Sequence, residues 1–163
     1  CDVNSISLIP FSDFERLEIL DLSGSDLSSE IDFKNIKDSV RRMSIAWCKI
    51  SNLSFIRQFK KLETLDLGNN NMLEMNSDFR CDTLVRVNIA GCFKNHDGLK
   101  RLVECSNISE IRFDILGNIC SVNCRREIDV MKDLMSRNNS VDEVNNFLIK
   151  RYGLKSNCSY FKF

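Results

Sequence analysis

Leu62-Glu63-Thr64-Leu65-Asp66-Leu67-Gly68-Asn69-Asn70-Asn71-Met72 is the stretch that decides the fold. Its leucines occupy the first, fourth and sixth positions, and Asn70 occupies the ninth. Side chains alternate along an extended strand, so Leu65 and Leu67 would point inward together, and Leu62 would do so just before the strand. Asn70 would turn inward after the strand and hydrogen-bond the backbone of neighbouring coils. One such unit cannot bury its own apolar face, so the pattern requires copies on both sides.

Four further copies are present, and their first residues are Leu17, Val40, Leu84 and Ile108. With Leu62 included, successive copies are 23, 22, 22 and 24 residues apart. These steps lie within the period of roughly 20–29 residues that is typical of leucine-rich repeats. The spacing predicts an α/β fold, a leucine-rich-repeat solenoid with short parallel strands on its concave face.

Composition favours one secreted globular domain. The chain has 163 residues, 43% of them apolar, and no apolar run approaches the ~20 residues that span a bilayer. The formal net charge is zero, which gives no general attraction for nucleic acid or membranes. Eight cysteines indicate an oxidising compartment, so we expect an extracellular protein.

The repeats are expected to occupy residues 1–116, followed by a helical, cysteine-containing cap over residues 117–163. Residues 1–10 resemble only the back half of a repeat, so the first coil is interpreted as partial, either because the chain is a fragment or because Cys1 caps it. Helical spacing of apolar residues predicts one cap helix over 125–137, and Ser140 can cap a second that ends at Gly153. These helices would cover the apolar flank of the last coil.

Cys81 and Cys105 each stand three residues before the start of a repeat. Stacked coils place equivalent Cα atoms roughly 5 Å apart, which is within the reach of a disulfide, so a Cys81–Cys105 bridge is predicted. In the cap, Cys158 would pair with Cys124 or Cys120, and we prefer Cys124. A zinc site at these cap cysteines is the alternative, and the lack of a nearby histidine argues against it. Cys48 and Cys92 occupy the ninth position of their repeats, which accepts Asn or Cys, and are interpreted as buried thiols.

Residues 113–158 carry a more specific pattern, which is listed here: Phe113-Asp114, Gly117-Asn118, Cys124, a helix ending near Asn138, a second helix with Val141 and Val144, and Cys158. This pattern resembles the end of the repeat domain in the leucine-rich-repeat immune proteins of mosquitoes. The chain differs in having two cap cysteines where that family has one. The resemblance implies a haemolymph protein that binds complement-like thioester proteins or a related repeat protein. The family's heterodimerisation segments follow the region matched here, so the choice of partner is not carried over.

Four Asn-x-Ser triplets are compatible with glycosylation in a secreted protein. Those at Asn52 and Asn138 fall in predicted turns where a glycan would fit. The other two are at Asn107 and Asn157, and a bridged Cys158 beside Asn157 would disfavour a glycan there.

The variable strand positions predict a protein-binding patch on the concave face, because Trp and Arg are enriched at binding hot spots. Its members are Arg42, Trp47, Asp66, Arg86, Asn88 and Arg112. The alternative is a solvated surface of mixed charge. The chain has a single histidine, His96, and contains no Gly-rich phosphate loop, H-E-x-x-H or G-x-S-x-G motif, so we expect neither catalysis, a cofactor nor a metal.

Three functions remain open at this level. The first is an extracellular recognition module in innate immunity. The second is an intracellular adaptor that binds an enzyme or an RNA-processing partner. The third is an assembly component in which Cys1 or Cys120 links chains. The first is preferred on the resemblance, which is an argument by analogy.

Overall fold

The computed structural model describes residues 14–27, 33–70, 80–92, 102, 105–115, 118–122, 125–136, 146–147 and 150–151. Within these ranges, six strands form one sheet in chain order. They are β1 (Ile19–Asp21), β2 (Arg42–Ser44), β3 (Thr64–Asp66), β4 (Arg86–Asn88), β5 (Glu110–Ile115) and β6 (Asn118–Val122). A 3-10 helix spans Ser54–Gln58 between β2 and β3, and helix α1 spans Arg125–Ser136.

Strands β1 to β5 pair in parallel, in a register that aligns equivalent repeat positions. The fourth positions form one row of register partners: Leu20, Met43, Leu65, Val87 and Ile111. Each is between 0% and 6% exposed, because the alternation of side chains turns this row into the interior. The molecule is therefore a solenoid built on parallel strands, and the register predicted from the 22- to 24-residue steps is confirmed.

The other side of the sheet, here called the open face, carries the third and fifth positions of each repeat. The third positions are Ile19, Arg42, Thr64, Arg86 and Glu110, and the fifth positions are Asp21, Ser44, Asp66, Asn88 and Arg112. All are exposed or half-buried. Polar residues dominate this face, because it packs against nothing among the described residues.

Returning segments supply the second wall of the core. The ring of Phe33 lies 5.5 Å from that of Phe55 and 5.4 Å from that of Phe59, measured between centroids. Phe33 and Phe59 are buried, and Phe55 is partly buried against the same cluster. These aromatic side chains therefore fill the outer part of the core.

Asn70 joins two coils through its side-chain amide, as predicted. Its Oδ1 accepts hydrogen bonds from the backbone N–H groups of Cys48 (3.0 Å) and Ile50 (3.1 Å). Its Nδ2 donates to the carbonyl oxygens of Ile45 (2.9 Å) and Leu67 (2.6 Å). Asn70 is 0% exposed, so all four contacts satisfy backbone groups that water does not reach.

The last turn of the sheet departs from the expectation. β6 pairs antiparallel with β5, from Ile111 opposite Val122 to Ile115 opposite Asn118. The loss of repeat spacing predicts a break between repeats and cap at Gly117-Asn118. The sheet instead continues into the region assigned to the cap, because the apolar residues after Gly117 complete a hairpin with β5.

Helix α1 confirms the first predicted cap helix. Its Ile128 and Met131 are fully buried against the solenoid core. Residues 146–147 and 150–151 are also helical, and Arg151 Nε lies 2.5 Å from Glu127 Oε1 of α1. No disulfide pins this cap in the described part of the chain, and Cys124, Asn138 and Cys158 lie outside it. A search of the described helices found none long and apolar enough to cross a membrane.

Candidate protein-binding face

Arginines occupy three of the five parallel strands on the open face. Arg42 in β2 and Arg112 in β5 are exposed, and neither forms a salt bridge within the described ranges. Arg86 in β4 lies between them, with its Nε 3.5 Å from Glu110 Oε2. The structure thus places Arg42, Arg86 and Arg112 on one surface, as predicted, but Arg86 has a partner within the sheet.

A second ion pair borders the same face at the second repeat position. Arg41 Nη1 lies 2.5 Å from Glu63 Oε1, across adjacent coils. Both side chains are close to half exposed, so this contact adds little to stability. Its effect on the surface is to neutralise one base beside Arg42.

Asp66 and Asn88 have a structural task that the sequence analysis missed. Asp66 Oδ1 accepts from the backbone N–H of Gly68 and from Asn88 Nδ2, each at 2.9 Å. Asn88 Oδ1 accepts from the backbone N–H of Ala90 at 3.2 Å. Both side chains are half-buried and shape the turn that ends their strand, as Asx turns do. Both side chains therefore have a structural role in addition to the binding role that the sequence predicts.

Asp21 makes the same turn in the first described coil. Its Oδ1 accepts from the backbone N–H of Ser23 at 3.0 Å. Hydrogen bonds from the Ser23 hydroxyl and backbone lower the pKa of Asp21, with a small opposing effect of burial. The carboxylate is exposed and stays charged at neutral pH. The hydroxyls of Ser23 and Ser44, 2.6 Å apart, continue this row of polar groups into β2.

Trp47 occupies an unusual backbone position. Its side chain is 65% exposed, and its φ is +59°. The eighth positions of the neighbouring repeats share this left-handed conformation: Gly24 (+76°), Asn69 (+61°) and Gly91 (+70°). Gly and Asn tolerate it, whereas other L-residues lose roughly 1–2 kcal/mol there. Trp47 therefore holds a place that the fold itself assigns to glycine or asparagine.

The eighth positions are fixed by hydrogen bonds between coils. Gly24 N donates to Ala46 O at 2.8 Å, Trp47 N to Gly68 O at 2.9 Å, and Asn69 N to Ala90 O at 2.7 Å. This ladder continues the sheet past the ends of the strands, and we call the eighth positions the rim. Trp47 belongs to the rim rather than to the strand face that carries Arg42. The predicted patch is thus divided into a strand part and a rim part.

Cys81 and Cys105 are neighbours, as predicted, but no disulfide joins them. Both are buried thiols. Burial raises the pKa of the Cys105 thiol, and a hydrogen bond with the backbone of Cys81 opposes that shift. Cys81 Sγ also lies 3.5 Å from Thr83 Oγ1. The two thiols therefore form hydrogen bonds with polar neighbours and do not form the predicted disulfide.

Cys48 and Cys92 are buried thiols that donate weak hydrogen bonds, in agreement with the prediction. Cys48 Sγ donates to Leu22 O at 3.1 Å, and Cys92 Sγ donates to Leu67 O at 2.8 Å. Burial raises the pKa of Cys48, an effect to which the nearby charges of Asp21 and Asp26 add. A thiol of this kind is a poor nucleophile at neutral pH.

Asn52, a predicted glycosylation site, is exposed at the entry to the 3-10 helix. Its Oδ1 accepts from Ser54 N at 3.1 Å and from Ser54 Oγ at 2.8 Å. The surface position agrees with the expected turn, and attachment of a glycan stays a prediction. The described residues contain no cluster of His, Cys, Asp and Glu that could hold a metal ion.

Comparisons of the chain with models of known protein families, with curated proteins and with solved structures gave no match. No relative therefore supplies a partner or an activity for this chain. Inferences about its function therefore rest on the contacts of the open face and of its rim.

Proposed function

We propose that the protein is an extracellular leucine-rich-repeat module that binds a protein partner through the open face. The repeat assignment is supported by steps of 22 to 24 residues, by parallel pairing in the matching register and by the buried amide of Asn70. In such repeats the strand positions that face away from the core vary, and they are used for recognition.

The observation that carries this proposal is the availability of Arg42 and Arg112. Both are exposed, and neither is held by an acid among the described residues. They are three strands apart in the sheet, a span of roughly 14 Å at the usual strand spacing. Because the sheet is rigid, binding through these side chains costs little backbone conformational entropy. Arginine is also enriched among binding hot spots.

The resemblance of residues 113–158 to mosquito leucine-rich-repeat immune proteins supports an innate-immune role and a complement-like thioester protein as partner. Such a partner would meet the open face with acidic groups opposite Arg42 and Arg112. Charge complementarity of this kind sets orientation and association rate more than total affinity.

Binding to a purified mosquito complement-like thioester protein tests this proposal by surface plasmon resonance. We expect measurable binding by the unaltered protein. The double substitution Arg42→Glu with Arg112→Glu reverses two charges at the contact, so we expect at least a tenfold loss of affinity, about 1.4 kcal/mol or more.

Lys60→Glu is the matched control, because Lys60 is exposed on the returning segment, away from the open face. We expect it to leave the affinity within about twofold. Absence of binding by the unaltered protein, or equal losses in the double variant and in the Lys60 control, would contradict the proposal.

An intracellular adaptor is the second candidate, and the thiol state of the described cysteines favours it. Mass spectrometry of the natively purified protein separates the two. The extracellular proposal predicts a disulfide between Cys158 and Cys124 or Cys120, and a glycan on Asn52, because the chain would pass through the oxidising secretory pathway.

Cys48 and Cys92 provide the internal control for this measurement. They lie two coils apart, roughly 10 Å, which exceeds the separation that a disulfide tolerates. We expect both to be alkylated after denaturation, whatever the compartment. Alkylation of Cys120, Cys124 and Cys158 without prior reduction, with Asn52 unmodified, would reject the extracellular proposal in favour of the adaptor.

A further inference from the structure

The rim around Trp47 offers a second surface, distinct from the arginines on the strands. We propose that Trp47 is a docking platform for a lysine or arginine side chain of a basic segment in a partner protein. The inference rests on the proposed function in one respect, namely that the module binds protein. It adds the chemical class of the group that the rim accepts.

The surroundings of Trp47 leave space for such a group. Trp47 N donates to Gly68 O in the next coil, and Gly24 holds the rim position of the preceding coil, so neither of these neighbours has a side chain. A Cβ built at Gly24 would meet nothing within 4 Å, so this side of the rim is open. On the other side, the amide of Asn69 is turned toward the next coil. Its Oδ1 would lie 2.6 Å from a Cβ built at Gly91. The indole of Trp47, which is 65% exposed, therefore projects beyond the surface formed by its neighbours.

The charges near Trp47 are mainly negative. Asp21 and Asp66 end the strands of the two flanking coils, and each binds a turn amide through Oδ1. Asp26 is exposed, and its charge acts on Cys48, the residue that follows Trp47. The exposed bases of the same coil are Lys49 and Arg42, while Arg41 is paired with Glu63. Three carboxylates against these two bases leave a net negative charge, which favours a cationic group beside the ring.

Trp is the side chain whose ring face attracts a cation most strongly. A lysine or arginine placed on the indole would also gain from the carboxylates of Asp21 and Asp66. The chain as a whole carries no net charge, so attraction of a basic peptide must come from local groups. The backbone cost at Trp47 is consistent with this use, since glycine would occupy the position without strain.

Fluorescence anisotropy of a labelled oligolysine peptide, at physiological ionic strength, tests the inference. We expect saturable binding of oligolysine by the unaltered protein. Any signal from a labelled oligoglutamate peptide, which Arg42 and Arg112 could bind, should be unchanged in Trp47→Gly. Trp47→Gly should lower the affinity for oligolysine about tenfold. Glycine is the better residue for this backbone, so the variant should unfold at no lower urea concentration than the unaltered protein, and the loss cannot be assigned to misfolding.

Asp21→Asn with Asp66→Asn removes both charges but keeps the turns, because Asn88 already forms the same turn with its amide. We expect about a fivefold loss of oligolysine affinity. Asp38→Asn, at an exposed site on a returning segment, is the charge-matched control and should bind as the unaltered protein does.

The inference is overturned if oligolysine does not bind, if Trp47→Gly binds it unchanged, or if Asp38→Asn loses as much affinity as the double variant. The measurement is separate from that of the open face, because Arg42 and Arg112 are intact in every variant used here. A failure of thioester-protein binding with a normal oligolysine result would reject the proposed partner and leave the rim site standing.

Discussion

Replacing Asn70 with alanine is expected to lower the free energy of unfolding by about 4 kcal/mol. The substitution removes the acceptor of two backbone N–H groups, those of Cys48 and Ile50, and the donor to two carbonyl oxygens. Each buried polar group without a partner costs roughly 1–3 kcal/mol. Urea denaturation followed by circular dichroism measures the change.

Cys48→Ala is the control at the equivalent position of the preceding coil. Cys48 donates weakly through sulfur to Leu22 O and Ala46 O, and its sulfur accepts from the backbone of Ser25 and Gly24. Sulfur is a weaker acceptor than the amide oxygen of Asn70. The loss of the Cys48 thiol should cost about 1–2 kcal/mol, as for a small buried side chain. If the two variants were equally stable, Asn70 would not be the link between coils.

Leu65→Ala is expected to lower the free energy of unfolding by about 3–4 kcal/mol. Leu65 is 1% exposed and lies between Met43 and Val87 in the row of register partners. Truncation removes apolar contacts and leaves a cavity at the centre of the stack, which the flanking coils cannot close without breaking their own pairing. The same denaturation experiment measures the loss.

Thr64→Ala, one residue away, controls for the propensity of the strand. Thr64 is half-buried on the open face, so its truncation creates no cavity in the core. We expect a cost of no more than about 1 kcal/mol. A larger loss for Thr64→Ala than for Leu65→Ala would mean that the two faces of β3 are assigned the wrong way round.

The sequence predicted the parallel register because inward positions recur at nearly constant steps. A strand that slipped by one residue would turn Met43, Leu65 and Val87 outward, so the pattern permits one alignment. The amide of Asn70 was predictable for a similar reason: an asparagine directly after an apolar strand can satisfy backbone groups that the turn leaves unpaired.

The hairpin formed by β5 and β6 was missed, because repeat spacing gives no information once the repeats end. A usable signal was present in the apolar runs on both sides of Gly117-Asn118, which together resemble a hairpin. The second helix of the cap was placed by its capping pattern, and residues 146–147 and 150–151 are indeed helical. Bridges to Cys158 stay predictions.

The binding patch was only partly predictable, since residue type does not reveal which side chains already have partners. Asp66 and Asn88 were assigned to recognition, yet Oδ1 of each also accepts from a backbone N–H of the turn that follows its strand. The sequence signal for this turn was an Asp or Asn at the end of the strand, whose side chain can accept from the backbone N–H two residues later. The rim could also have been found by aligning the repeats, because its column reads Gly24, Trp47, Asn69 and Gly91.

Nuclear Overhauser contacts between side-chain methyl groups test the central claim most directly, namely that coils of 22 to 24 residues stack in parallel around one interior. The account predicts contacts from the methyl groups of Leu65 to those of both Met43 and Val87. Contacts of Leu65 with neither residue, or only with residues of its own coil, would contradict the solenoid and every assignment of faces made from it.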